Sequence, residues 1–220
     1  MSEKLFLRGV TPLLLSTLKI VMATEIFHSF RLVGGTALSL QLGHRESVDI
    51  DMFTDSEYGT IDFDSIDTFL RKQFPYVDTS NTKIVGMGRS YFVGNSERQA
   101  VKLDLFYSDS FIRDVKNLDG IRIADIDDIV AMKIEVIRQG GRKKDFWDLH
   151  ELLELYTIQQ MLQLHQERYP YNHNRPELLT NFTWFDQADN DFDPICLKGK
   201  YWELIKMDIT EAVEKTFELP

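Results

Sequence analysis

The chain has 220 residues, with 25 Lys plus Arg against 35 Asp plus Glu, a formal net charge of −10. Such an acidic balance disfavours non-specific binding to nucleic acid, because cationic side chains read the phosphate backbone, so an RNA substrate has to be met by a local basic patch. The 43% apolar and 12% aromatic content is that of a globular chain, long enough for one catalytic domain with a smaller appendage.

From the N-terminus, Met1-Ser2-Glu3-Lys4 opens no signal-peptide pattern. Residues 11–29 carry Leu14, Leu15, Leu18, Val21 and Met22 at helical spacing. The apolar run inside that stretch is interrupted by Lys19 and is too short to span a bilayer. Residues 31–33 read as a short strand, Gly34-Gly35 as a turn, and 36–42 as a short helix with Gly43 as its C-cap. A strand is expected over 48–53, and a helix over 61–74 with Ile66, Phe69 and Leu70 on one side. Three strands follow, over 77–86, 90–94 and 99–107. The third alternates strictly, with Val101, Leu103 and Leu105 against Lys102, Asp104 and Phe106.

From Asp125 the pattern turns helical. One helix ends at Gly140-Gly141, a second covers about 145–156, and a third runs to about 170 from a Thr157/Gln160 capping box. Residues 171–199 are mixed and rich in Asn, Asp and Pro, and 200–217 read as a last helix. We place a boundary near residue 115, between a mixed α/β unit (1–115) and a mainly helical one (116–220). Cys196 is the only cysteine, so no intramolecular disulfide forms. This suits a reducing cytosol, and a cytoplasmic location with no membrane partner is expected.

The chemistry concentrates in a few places. Gly34-Gly35 between strand and helix lets a backbone approach a phosphate, with Thr36 adding a hydroxyl, or it is simply a turn. Asp49 and Asp51 alternate on the expected strand and so share a face, opposite Val48, Ile50 and Met52. Like charges that close suggest a divalent cation between them; the plainer reading is one solvent-facing residue and one loop cap. Asp104 is a third carboxylate, either completing a two-Mg²⁺ site or paired with Lys102 on its own face.

Lys133 sits in the middle of the apolar stripe of Ile126, Ile129, Val130 and Ile137, where it must snorkel or reach a buried acceptor such as phosphate. Arg138 through Lys144 form the most basic run, a loop that meets a triphosphate or an RNA backbone, or is a solvated turn. Asp145 starts the next helix, with Asp148 one turn on. Arg45 offers bidentate phosphate binding, whereas His44 has no His or Cys partner at zinc-ligand spacing. A Walker-type loop and a Gly-x-Ser-x-Gly elbow are both missing.

Taken together, Gly34-Gly35-Thr36-Ala37-Leu38, Leu42-Gly43-His44-Arg45, Ser47, Asp49-Ile50-Asp51-Met52-Phe53, Met132-Lys133 and Lys144-Asp145-Phe146-Trp147-Asp148-Leu149 resemble the AbiEii-type nucleotidyltransferase toxin family. That family lies within the polymerase-β-like nucleotidyltransferase superfamily. The resemblance covers about residues 30 to 155. It implies an α+β fold, a mixed β-sheet flanked by helices with a mainly helical C-terminal part that completes the active site. It implies NTP bound by Gly34 and Gly35, with Thr36, Arg45 and Lys144 also expected to meet phosphate. Metal, taken as Mg²⁺, is expected on Asp49 and Asp51 with Asp104, and Lys133, Asp145 and Asp148 are implied active-site residues. Relatives are toxins of toxin–antitoxin or phage-defence pairs, and some add nucleotides to the tRNA 3′ end, so tRNA or other RNA and a cognate antitoxin are the expected partners. The alternatives are an inactive nucleotide- or partner-binding protein on the same fold, or a metal phosphohydrolase.

Overall fold

In the computed structural model, which describes residues 4–79 and 86–218, the first helix begins where its sequence caps it. The Leu14 N–H donates to the Thr11 hydroxyl, and Pro12, with no N–H to satisfy, fills the first turn of α1 (Pro12–Met22). The helix expected over 11–29 ends sooner. Arg122 donates to the carbonyls of Met22, Phe27 and Phe30 at 2.8, 2.9 and 3.1 Å, holding the chain in a short 3-10 turn at Glu25–Phe27.

Strand β1 (Arg31–Val33) runs directly into α2 (Gly34–Leu42), which Gly43 closes in the left-handed conformation, its N–H donating to Ser39. Then come β2 (Asp49–Thr54), α3 (Phe63–Gln73) with Asp62 as its N-cap, β3 (Tyr76–Thr79), β4 (Gly88–Ser96) and β5 (Gln99–Tyr107). The strand expected over 77–86 is seen as far as Thr79; residues 80–85 lie outside the described residues. Two strands absent from the sequence reading follow, β6 (Lys116–Leu118) and β7 (Ile121–Ile123). They join through Asp119 and Gly120, both at positive φ, the geometry of a tight hairpin turn.

The seven strands form one mixed sheet in the order β3-β4-β5-β2-β1-β7-β6. The β2/β5 and β1/β7 pairs are parallel and the others antiparallel. Helix α1 packs on β2, β4, β5 and β7, bringing the buried Leu14, Leu18 and Val21 to the sheet layer that carries Ile50, Met52, Leu103 and Leu105. Each such side chain contributes about 1.5–3 kcal/mol through removal from water. Strict alternation sends Asp49, Asp51 and Phe53 of β2, with Lys102, Asp104 and Phe106 of β5, to the other, partly exposed face. The Phe53 and Phe106 rings meet edge to face there, with centroids 6.2 Å apart.

Contacts divide the chain into two compact units, Met1–Gly43 with Ser47–Asp125, and His44–Glu46 with Ile126–Pro220. The first ends at Asp125 and not near 115, because the β6–β7 hairpin extends its sheet. The second contains α4 (Ile126–Arg138), α5 (Lys143–Leu152), α6 (Ile158–Arg168), α7 (Arg175–Phe182), α8 (Asp186–Asp189) and α9 (Trp202–Glu218). The capping box of Thr157 and Gln160 starts α6 as expected, whereas α7 and α8 occupy the stretch that read only as mixed. An aromatic cluster ties α5, α8 and α9 together: Phe146 meets Phe185 at 5.1 Å, and Trp147 stacks on Trp202 at 6.4 Å. Among the described residues no helix is long and apolar enough to cross a membrane.

Candidate active site

Two groups of polar residues stand out, one in each unit. In the first, β1 delivers Gly34 at φ +68° to the start of α2. A Cβ on Gly34 would lie 2.7 Å from Asp51 Oδ2, so glycine is required there both for the left-handed backbone and for the close approach. The turn and the carboxylate are thus packed against each other. Gly35 follows, half-buried, in the first turn of the helix, where backbone N–H groups lack intrahelical partners.

Asp49 and Asp51 share a face, as the alternation requires, and their register partners on β5 are Lys102 and Asp104. The Lys102 ammonium lies 2.6 Å from Asp104 Oδ2. Burial pushes the Lys102 pKa down, but the Asp104 hydrogen bond and the charges of Asp104, Asp49 and Asp51 outweigh it and raise it. Asp104 Oδ1 is buried and accepts no hydrogen bond. Among the described residues no set of three or more His, Cys, Asp or Glu side chains is gathered to hold a metal ion. Asp104, expected as a third ligand, takes the pairing with Lys102 that its strand face also allowed.

Thr36 has a different job from the one expected. Its side chain is fully buried; its hydroxyl donates to the Asp49 carbonyl and lies 2.7 Å from the Ser47 hydroxyl. It pins α2 to the start of β2 and so places Asp49, instead of facing a phosphate.

The second group centres on Asp148, completely buried on α5. Its Oδ1 accepts from Arg45 Nε at 2.6 Å and lies 2.7 Å from His44 Nε2; its Oδ2 accepts from Arg45 Nη2 at 2.8 Å and lies 2.7 Å from Lys133 Nζ. Lys133 also donates to Asp145 Oδ1 at 2.8 Å, and the other oxygen of Asp145 accepts from the Arg142 backbone N–H, fixing the first turn of α5. His44–Glu46 reach this group through a short antiparallel bridge. The Glu46 N–H donates to Ile195 O at 2.8 Å and the Leu197 N–H to His44 O at 2.9 Å, with Arg45 opposite Cys196.

Charge balances within the group. Burial alone would raise the Asp148 carboxyl, but Arg45 and Lys133 beside it hold it well below the usual carboxylate range. Asp145 is likewise lowered, burial being outweighed by Lys133. Burial would lower Lys133, but Asp148 and Asp145 raise it and keep it an ammonium. The buried acceptor that the phase of Lys133 demanded is therefore this carboxylate pair. Arg45, expected at a phosphate, spends both prongs of its guanidinium on Asp148. Lys144 sits half-buried in the first turn of α5. His44 is completely buried, a position that no spacing in the sequence signalled.

The mixed sheet thus carries a glycine turn packed against a strand-borne Asp-x-Asp pair. The profile described as "Nucleotidyl transferase AbiEii toxin, Type IV TA system" matches residues 18–218, and the chain belongs to this AbiEii nucleotidyltransferase toxin family. An uncharacterised protein of Aquifex aeolicus (strain VF5) is 30% identical over 210 residues, 90% of this chain and 93% of that protein. Among solved structures, a putative nucleotidyltransferase from H. pylori is similar with a TM-score of 0.58 at 19% identity, covering 93% of this chain and 92% of that one. MenT4, a nucleotidyltransferase toxin from Mycobacterium tuberculosis H37Rv, is similar with a TM-score of 0.54 at 12% identity, covering 91% and 84%. These two likenesses speak for the shared α+β fold. Membership of a toxin family implies an NTP substrate and an antitoxin.

Proposed function

We propose that this nucleotidyltransferase uses Mg²⁺ held by Asp49 and Asp51 to transfer a nucleoside monophosphate from an NTP to an RNA hydroxyl. We take the acceptor to be the tRNA 3′ end, and the chain to be the toxin of a pair with a cognate antitoxin protein. The observation that carries the reading is the Gly34 backbone packed against the Asp51 carboxylate, in a chain whose family transfers nucleotides. The donor set fits the ion: carboxylate oxygens are the hard ligands Mg²⁺ takes, usually one or two per ion beside substrate phosphates.

In the transfer, the acceptor oxygen attacks the α-phosphorus. A new P–O bond forms as the bond to the pyrophosphate oxygen breaks, and pyrophosphate leaves. A bound divalent ion supplies neutralisation of the triphosphate oxygens and acidifies the attacking hydroxyl. Asp49 and Asp51 provide the oxygen donors. Gly34 and Gly35 let phosphate approach the backbone at the start of α2, where free N–H groups favour an anion. Thr36 fixes the position of Asp49. Within the helical unit, Lys133, kept charged by its two carboxylates, and Asp145 are the residues the family resemblance assigns to the chemistry, with Lys144 a cation for phosphate.

The test is a transfer assay with Mg²⁺, each labelled NTP in turn and total bacterial RNA or protein, beside an Asp49→Ala/Asp51→Ala control. Label on tRNA-sized RNA with the wild type alone is expected. Label on protein would replace the acceptor, and undiminished label with the control would remove the metal assignment.

A further inference from the structure

We propose that His165 and His173 form a one-proton latch. A single proton held between their facing Nδ1 atoms fastens the turn of residues 169–173 to α6, and a second proton on that line opens it.

His165 lies near the end of α6 and is completely buried, and His173 stands in the turn that leads to α7. Their Nδ1 atoms are 3.0 Å apart, within hydrogen-bond distance. The ring centroids are 5.3 Å apart, close to the Nδ1–Nδ1 gap extended by one ring radius at each end. The two nitrogens therefore point straight at each other, as a linear N–H···N bond needs. A shared metal ion would need both lone pairs to converge at a point off that line.

Glu135 on α4 fixes where the protons are. Its Oε1 accepts from Arg138 Nη2 and Gln139 Nε2 at 2.7 and 2.8 Å, its Oε2 from Arg138 Nε at 2.9 Å, and His165 Nε2 lies 3.1 Å from Oε2. Burial pushes the Glu135 pKa up, but these hydrogen bonds bring it down to about 2. A carboxylate only accepts, so Nε2 of His165 carries the proton. Neutral His165 then has a bare Nδ1, and His173 must donate to it from Nδ1–H.

Acid finds two places on the pair. His173 Nε2 lies outside the bond, and protonation there leaves Nδ1–H donating. A proton on His165 Nδ1 instead sets two N–H groups head to head across 3.0 Å. The surroundings oppose that step. Burial lowers His165 from its ordinary 6.5 against the pull of Glu135, with His173 and Arg138 adding to the lowering. Burial and the Arg175 charge at the start of α7 lower His173. Of the other charges nearby, Glu177 of α7 is turned to Arg138, and Arg168 of α6 to Asp128 and the Tyr169 hydroxyl. A base lowered by folding leaves stability whole above its unfolded value and costs stability as pH falls towards the folded one. For the histidines this loss starts near 6.5, above the range from 4.5 down to about 2 where Glu135 titrates. The latched turn leads into α7, whose Asn181 donates to Arg138 O at 2.9 Å. The latch thus secures the helix that holds the basic run of 138–144 at its start.

The test is long-range proton–nitrogen correlation of the histidine rings in the full chain, with amide hydrogen exchange over a pH series. At about pH 7.5, His165 should show a bare Nδ1 and a protonated Nε2, and His173 a protonated Nδ1, with a scalar coupling across the N–H···N bond. The Asn172 amide, which donates to Tyr169 O, reports the turn. Between about pH 7.5 and about pH 5 its exchange, corrected for the intrinsic rate, should accelerate roughly tenfold, the factor that goes with one pKa unit. His173→Ala should exchange fast throughout, without that acceleration. His165→Leu, which fills the buried position with an apolar side chain, is the second variant and should behave alike. A proton on His165 Nδ1 at about pH 7.5, a missing coupling, or exchange independent of acid in the wild type would overturn the proposal. So would variants whose Asn172 amide still accelerates as the wild type does.

Discussion

Arg45 grips Asp148 with two parallel hydrogen bonds, Nε to Oδ1 at 2.6 Å and Nη2 to Oδ2 at 2.8 Å, both side chains being almost wholly removed from water. Planar fork-to-carboxylate geometry is the strongest form of such a pair. Breaking it from one side leaves a buried charge without its partner. Asp148→Ala or Arg45→Ala should therefore cost about 3–5 kcal/mol, seen as a fall in Tm of about 10 °C. The double variant Arg45→Ala/Asp148→Ala should cost less than the two singles together. A strictly additive result in thermal denaturation would mean that the pair does not act as a unit.

Gly34 predicts a separation of stability from activity. Alanine there meets Asp51 Oδ2 at 2.7 Å and inherits φ +68°, a left-handed backbone costing roughly 1–2 kcal/mol for a residue with a Cβ. Gly34→Ala should stay folded and shift Asp51, lowering nucleotide transfer at least tenfold. Circular dichroism melting beside transfer rates checks both halves.

The buried Thr36 hydroxyl serves Asp49 O and Ser47 Oγ together. Thr36→Val keeps the shape but leaves those groups unsatisfied, so stability should drop by about 1–3 kcal/mol. Thr36→Ser, which retains the hydroxyl, should recover most of the lost transfer activity. Equal activity of the valine and serine variants would show that the hydroxyl does not place Asp49.

Acid should weaken the helical unit through its depressed carboxylates. At Glu135, burial pushes upward, but hydrogen bonds from Arg138, Gln139 and His165 prevail, bringing its pKa down from 4.5 to about 2. A carboxylate lowered by folding contributes stability above its unfolded pKa and loses it as pH falls towards the folded value. The gap in unfolding free energy between the wild type and Glu135→Gln should then be widest above pH 4.5 and close as pH falls towards 2. Urea unfolding at a series of pH values measures it. A gap independent of pH would assign the residue a packing role alone.

How much of this was legible from residue order depends on the range of the interaction. The β5 alternation, the Gly43 cap and the Thr157/Gln160 box are local patterns, and each appears where its residues place it. The Asp49/Asp51 face follows from a period of two and needs no tertiary information. The β6–β7 hairpin was also signalled locally, by Asp119-Gly120 between short apolar runs, but three-residue strands carry too little periodicity to register. Partners far apart in the chain left no such trace. Arg122 serves carbonyls at positions 22, 27 and 30, and Lys133 showed only that it needed an acceptor. Arg45 next to an Asp-x-Asp strand looked like a phosphate ligand, because nothing near it in sequence names Asp148 as its partner. Thr36 misled for a similar reason: a hydroxyl after Gly-Gly reads the same whether it faces a ligand or a strand.

The bridge that carries His44–Glu46 into the helical unit also sets an order of assembly. A ribosome releases residues 1–125 first, enough to lay down every strand of the sheet, while Arg45 waits for a carboxylate at 148 and a backbone partner at 196. A nascent chain therefore carries its Asp-x-Asp strand long before the Asp148 network can close. A chain truncated before residue 195 leaves the His44–Glu46 segment without its backbone bridge.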